Sequence, residues 1–189
     1  MRRDAAPRGM TLVELLVAMV LALGATAALG VGVRAGLAAG LRAGTDAEAA
    51  IETAAALEQL TRDLRAAGYD PRGAGFPPFT VVAADSVELQ ADLDSDGAID
   101  ATSEERVAYR VAASSRSLQR IVGAQSLPIL SEVASGGLRF AWLDAAGATL
   151  DPDDPATAAA ARLVAIDLAA TPPGRPVVRV HGGVRLLNR

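Results

Sequence analysis

The 189-residue chain contains no cysteine, no lysine and a single histidine, His181. Without cysteine, the chain has no disulfide, no thiolate metal site and no cysteine nucleophile. A lone histidine builds neither a zinc site nor a Cys–His pair. Aromatic residues make up only 3% of the sequence, which disfavours a stacking surface for bases or sugars. We find no catalytic constellation in the sequence, and we expect the protein not to be an enzyme.

The balance of charge argues against a polyanionic partner. The formal net charge is −4, and the isoelectric point is near 5.0. Nucleic-acid binding needs clustered positive charge, so we expect no direct nucleic-acid partner. The length allows one modest globular domain together with an anchoring segment.

The N-terminus combines a short basic stretch, residues 1–9, with an apolar stretch, residues 10–33. At a rise of about 1.5 Å per residue, this stretch is long enough to cross a hydrocarbon core of roughly 30 Å. We therefore expect a membrane-spanning helix over residues 10–33. An ordinary secretory signal peptide is the alternative, but its apolar region is usually only about 7–15 residues long. The early carboxylate of Glu14 would also be costly in lipid without a partner.

The stretch from Arg8 to Met19 reads RGMTLVELLVAM. It resembles the class III signal of type IV prepilins and of type II secretion pseudopilins. The resemblance implies that prepilin peptidase cuts between Gly9 and Met10 and that the new amino terminus is methylated. Glu14 then becomes the fifth mature residue, where this family keeps a Glu, whereas Met10 stands where Phe is commoner. Residues four apart share a helical face, so the new ammonium group of Met10 and the Glu14 carboxylate can pair within one chain or between neighbours.

The resemblance also implies a pilin-like α+β fold, with one long N-terminal helix packed on an antiparallel sheet. In this interpretation residues 1–9 are a leader, 10–33 a transmembrane and assembly helix, and 34–67 its amphipathic continuation against the head. Residues 68–189 form a β-rich head. Alternating apolar residues and turn residues predict its strands, namely Thr80–Ala83, Ser86–Gln90, Arg106–Val111, Ser117–Val122, Leu138–Leu143, Leu163–Leu168 and Val177–Val180.

Three further patches are similar to PilW-type minor pilins: Arg62–Tyr69, Asp94–Gly97 followed by Glu105–Val111, and Val184–Arg189. The resemblance implies a subunit that primes pilus assembly or sits near the tip. Its partners would be other pilins or pseudopilins, the prepilin peptidase and the inner membrane. The protein would cross that membrane once, with its head in the periplasm, before entering a pilus or pseudopilus.

Two other functions stay open. A J-type minor pseudopilin of a type II secretion system shares much of the same outline. A signal-anchored periplasmic domain that binds calcium or another ligand, and never polymerises, belongs to a different class. Retention of residues 1–9 would favour this second alternative.

The acidic segment 92–100 reads DLDSDGAID and matches the first nine positions of a calcium-binding loop. Carboxylates at positions 1, 3 and 5, a glycine at 6 and a backbone carbonyl at 7 converge on the cation in such loops. Position 12 should be a glutamate but is a serine, and the loop lies between predicted strands, where Asp and Gly also form ordinary turns. Calcium is the only cofactor that the sequence suggests, and a solvated turn is the alternative. The candidate ligands are Asp92, Asp94, Asp96, Ala98 and Asp100.

Overall fold

The computed structural model describes Leu12, residues 15–17, Met19, Gly44 and residues 46–188. The chain divides into two compact units, Met1–Thr45 and Asp46–Arg189. All described positions of the first unit are helical. The second unit, which we call the head, contains every strand found among the described residues.

Within its described part, the head contains two helices, α1 (residues 46–66) and α2 (Thr157–Ala160). The helix α1 ends at Ala66, and Gly68 in the turn that follows adopts a positive φ of 74° that favours glycine. The strands are β1 Phe79–Val82, β2 Ser86–Gln90, β3 Arg106–Ala112, β4 Ser117–Val122, β5 Gln125–Leu130, β6 Val133–Leu143, β7 Thr149–Leu150, β8 Leu163–Ala170 and β9 Val178–Arg185.

The strands form two antiparallel sheets. The first sheet has the order β1-β2-β3-β4-β5, and the second has the order β7-β6-β8-β9. The chain leaves the first sheet after β5 through a tight turn in which Glu132 has a φ of 55°. An ion pair between Arg116 and Glu132 and a hydrogen bond from Val133 N to Arg116 O, 2.7 Å long, hold this crossing point.

One hydrophobic core draws on α1 and on both sheets. Apolar residues of α1 at helical spacing, including Leu60 and Leu64, are completely buried. Trp142 on β6 is also completely buried, and its ring meets Phe79 of β1 edge to face at 5.2 Å. Each such side chain contributes roughly 1.5–3 kcal/mol by burial. On β9, a Cβ at Gly182 would lie 3.1 Å from Leu57 of α1, so the absence of a side chain there lets helix and strand approach closely.

The predicted strands are found at all seven places, and two more are present. The sequence reading missed β5, because Pro128 within it is unusual in a strand and is tolerated mainly at sheet edges. It also missed β7, which has only two residues.

The structure corrects the predicted fold class. The described residues are mostly β and form two antiparallel sheets, and no long N-terminal helix is evident among them, so the α+β prediction of one long N-terminal helix on a single sheet is wrong. The expected transmembrane helix, and the prepilin description that included it, are corrected together with the fold class. In the part of the chain that the structure describes, no helix is both long and apolar enough to cross a membrane. Most of residues 10–33 lies outside that part.

Candidate functional site

The acidic loop, residues 92–100, connects β2 to β3 in the first sheet. Its base is held on both sides by backbone hydrogen bonds. Ala91 N donates to Glu105 O at 2.9 Å, and Asp92 N donates to Tyr69 O at 2.8 Å. The loop is therefore anchored to the sheet and to the segment that follows α1.

Glu105 organises the loop from inside. Its residue surface is only 5% exposed, and its carboxylate accepts three backbone N–H groups. Oε1 accepts from Leu93 N at 2.9 Å and from Asp94 N at 3.2 Å, while Oε2 accepts from Asp100 N at 2.8 Å. Charge-assisted hydrogen bonds of this kind are stronger than neutral ones. Glu105 therefore acts as a structural acceptor that fixes the loop.

Three carboxylates of the loop lie together: one oxygen atom from each of Asp92, Asp94 and Asp96 lies within 4.8 Å of the other two. Asp92 is completely buried, whereas the other two are exposed. The Asp92 carboxylate accepts from Asp96 N at 3.1 Å and from Gly97 N at 3.0 Å. Positive φ angles at Ser95 (64°) and Gly97 (84°) give the backbone the tight turn that brings these residues together.

Desolvation and repulsion between carboxylates both act on the pKa of Asp94. A hydrogen bond from the Asp96 backbone N–H lowers the pKa of Asp94. Desolvation and the negative charges of Asp96, Glu105 and Asp92 outweigh that bond, so the pKa of Asp94 is raised above its usual value. A bound cation would remove this repulsion.

The remaining two predicted ligands are arranged differently. Asp100 accepts hydrogen bonds from the hydroxyl and the backbone N–H of Thr102, at 2.7 and 2.8 Å. These bonds, the hydroxyl first, lower the pKa of Asp100. Asp100 does not belong to the cluster of three carboxylates, and the backbone N–H of Ala98 donates to Asp96 Oδ1 at 2.7 Å. Asp100 thus stabilises the turn before β3.

The arrangement supplies part of a calcium shell. Calcium takes 6–8 oxygen ligands, and the cluster offers carboxylates from three residues. Glu105 is engaged with backbone N–H groups, and Glu104 pairs with Arg120 at 2.8 Å. Neither glutamate therefore replaces the missing bidentate ligand at position 12. Calcium binding stays a prediction.

A buried polar network beside the loop was not foreseen from the sequence. Asp63 of α1 accepts from the Tyr109 hydroxyl on β3 and from Arg120 Nε on β4, both at 2.8 Å. Arg120 also donates to Glu104, which lies just before β3 at the end of the segment that contains the acidic loop. Arg120 therefore connects α1 to that segment. Burial and the neighbouring Asp63 charge raise the pKa of Tyr109. Only the folded structure brings these residues together, because they lie on three separate elements.

The predicted cleavage site at Gly9 and Met10, and the predicted assembly residue Glu14, lie outside the described residues. Their roles stay predictions. No model of a known protein family matches the chain, and no curated protein shows detectable similarity to it.

Proposed function

We propose that this protein is a minor subunit of a type IV pilus, cut between Gly9 and Met10 and assembled through the segment that follows the cut. The stretch RGMTLVELLVAM at residues 8–19 is the observation that carries the proposal. It combines a basic residue, the Gly cleavage position and a carboxylate five residues after the cut in an apolar run. A carboxylate in such surroundings needs a partner, and the amino group released at Met10 supplies one.

The head is a separate compact unit of the chain, which supports a structural function. Its core includes α1, and its described residues form two sheets with extensive exposed loops. A structural subunit needs a stable body that carries surfaces for its neighbours.

The proposal includes partners and location. Before assembly the subunit is held at the inner membrane with its head on the periplasmic side. Prepilin peptidase processes it there, and it then joins other pilins near the tip, where it helps to start assembly. The Met10 amino group and Glu14 form an ion pair, either within one subunit or between neighbouring subunits. This ion pair is needed for the subunit to assemble into the filament.

The test is recovery of the protein in filaments sheared from the native host. We expect wild type in the sheared fraction and Gly9→Val uncut and absent from it. Glu14→Gln should be cut normally but strongly depleted from filaments, because the released amino group loses its charged partner. Glu48→Gln, which changes an exposed carboxylate of α1, is the matched control and should assemble like wild type. Normal assembly of Glu14→Gln would contradict the proposed role of the pair.

A further inference from the structure

Charge is strongly segregated along the head. Residues 85–105 contain eight acidic residues and no basic residue, whereas residues 168–188 contain three arginines and no acidic residue. Within the described residues, Asp94 and Asp96 are exposed and have no cationic partner. Arg179 and Arg185 on β9 are exposed and likewise form no ion pair there. Two pairs of exposed side chains of opposite charge therefore have no ion-pair partner among the described residues.

The basic side chains lie on β9, which among the described strands is an edge strand of the second sheet. β9 is the last strand of the second sheet, and its eight residues pair with β8 without a bulge. The other edges found among the described strands are shorter or interrupted: β1 and β5 contain irregularities, β5 also contains Pro128, and β7 has two residues. Short strands, bulges and proline protect sheet edges from pairing. β9 has none of these three devices.

Side chains alternate along β9, so one set points away from the core. Val184 is completely buried and Gly182 meets Leu57 of α1. The opposite face, which we call the basic edge, consists of Arg179, His181, Gly183 and Arg185, all exposed. His181 pairs with Asp167 on β8. The two arginines remain available for a carboxylate from outside.

We propose that the basic edge binds the acidic loop of a second copy of this chain. Arginine holds carboxylates through paired, charge-assisted hydrogen bonds, and the loop presents the exposed carboxylates of Asp94 and Asp96, with one oxygen of each within 4.8 Å of the other.

The two surfaces are different patches of one head, so the contact is heterologous. Such a contact passes from copy to copy and produces an open chain unless it closes into a ring. This inference rests on the proposed function, since it assigns a contact between the globular heads of two copies of a filament subunit.

Site-specific cross-linking of the full chain tests the contact, and the absence of native cysteine gives a clean background. Ser95→Cys places a thiol in the loop, and Gly183→Cys places one on the basic edge, where a Cβ meets nothing within 4 Å. A disulfide needs Cα atoms about 4.4–6.8 Å apart. In detergent with a mild oxidant, we expect the mixture of both variants to form a disulfide dimer and each variant alone to form little. Ala145→Cys, in an exposed turn, replaces Ser95→Cys in the control and should not cross-link.

Charge-reversal variants test whether electrostatic attraction holds the basic edge to the acidic loop. Arg179→Glu in the Gly183→Cys chain should lower the dimer yield about tenfold or more, and Asp94→Arg in the Ser95→Cys chain should restore it. Arg110→Glu, at another exposed arginine, should change nothing. Raising the salt from about 0.01 M to about 1 M shortens the Debye length from about 30 Å to about 3 Å, and the yield should fall.

A yield equal to that of the Ala145→Cys control, or one insensitive to charge reversal, overturns the inference. These outcomes are independent of the proposed function, because cleavage after Gly9 and recovery in filaments are measured separately in the native host. A chain that is processed and assembled but does not cross-link would refute the contact alone.

Discussion

The network of Asp63, Tyr109 and Arg120 gives the sharpest stability prediction. Substituting Arg120→Met removes the cation that donates to Asp63 at 2.8 Å, while the methionine still fills much of the space. The side chains of Arg120 and Asp63 are only 10% and 13% exposed. The substitution therefore leaves a largely buried carboxylate with only two neutral donors, the Tyr109 hydroxyl and the Gln59 amide.

Removing one partner of a buried ion pair costs about 3–5 kcal/mol, because the remaining charge is uncompensated. We expect Arg120→Met to lower the free energy of unfolding by that amount. Removing the stranded charge as well should recover most of the loss. Asp63→Asn combined with Arg120→Met does this and keeps an acceptor for the completely buried Tyr109 hydroxyl. The interaction energy between the two sites should thus be large and favourable.

Denaturant unfolding measured by tryptophan fluorescence is the assay. Trp142 is the sole tryptophan, and it is completely buried in the core, so its emission reports unfolding of the head. Arg62→Met is the matched control, because Arg62 pairs with Glu58 at the surface with 68% and 74% of the side chains exposed. That pair should contribute about 0.3–0.5 kcal/mol or less.

Two results would refute the reasoning. A loss for Arg120→Met no larger than that for Arg62→Met would show that the buried pair contributes no more than an exposed one. A double variant as unstable as the single one would show that the loss comes from packing and not from the stranded carboxylate.

Three further predictions concern the loops of the head. Gly68→Ala should destabilise the head by about 1–3 kcal/mol more than Gly73→Ala. Both glycines have positive φ, but only at Gly68 would a Cβ clash with a carbonyl oxygen, that of Asn188, so equal losses would contradict the steric argument. Hydrogen bonds from several backbone N–H groups, that of Gly75 first, lower the pKa of Asp70 from 3.8. The stabilisation that the ionised Asp70 carboxylate gives the fold is therefore complete above that value and is lost as the pH falls through the folded pKa. Unfolding of Asp70→Asn between about pH 4 and about pH 2 should therefore depend less on pH than that of wild type, and equal slopes would contradict this. Calcium at about 1 mM should raise the melting temperature of wild type but not of Asp94→Asn, and equal responses would exclude the cluster as its site.

Local patterns in the sequence predict much of the head. Alternation such as Val87 to Gln90 places strands well, because one face of each is buried and the period of two is clear. The division into two sheets is not local, since it depends on the turn at Glu132 and on which strands pair afterwards. The strand β5 was not predicted because Pro128 lacks the backbone N–H that pairs strands. The same residue is tolerated there because β5 lies at the edge of its sheet.

For the acidic loop, spacing predicts that Asp92, Asp94 and Asp96 converge, because turn residues fix such short-range geometry. It does not predict that Glu105 turns inward to accept three backbone N–H groups. Nor does it predict the pairing of Asp63 with Arg120, which lie far apart in the sequence and meet only when α1 packs on the first sheet.

The most direct test of the central claim is the N-terminal mass of the protein recovered from its native membrane, with and without the prepilin peptidase. The proposed function predicts a chain that begins at N-methylated Met10 when the peptidase is present and at Met1 when it is absent. An N-terminus that does not change with the peptidase, whether an intact Met1 or a cut between Gly30 and Ala39 by an ordinary signal peptidase, would contradict it.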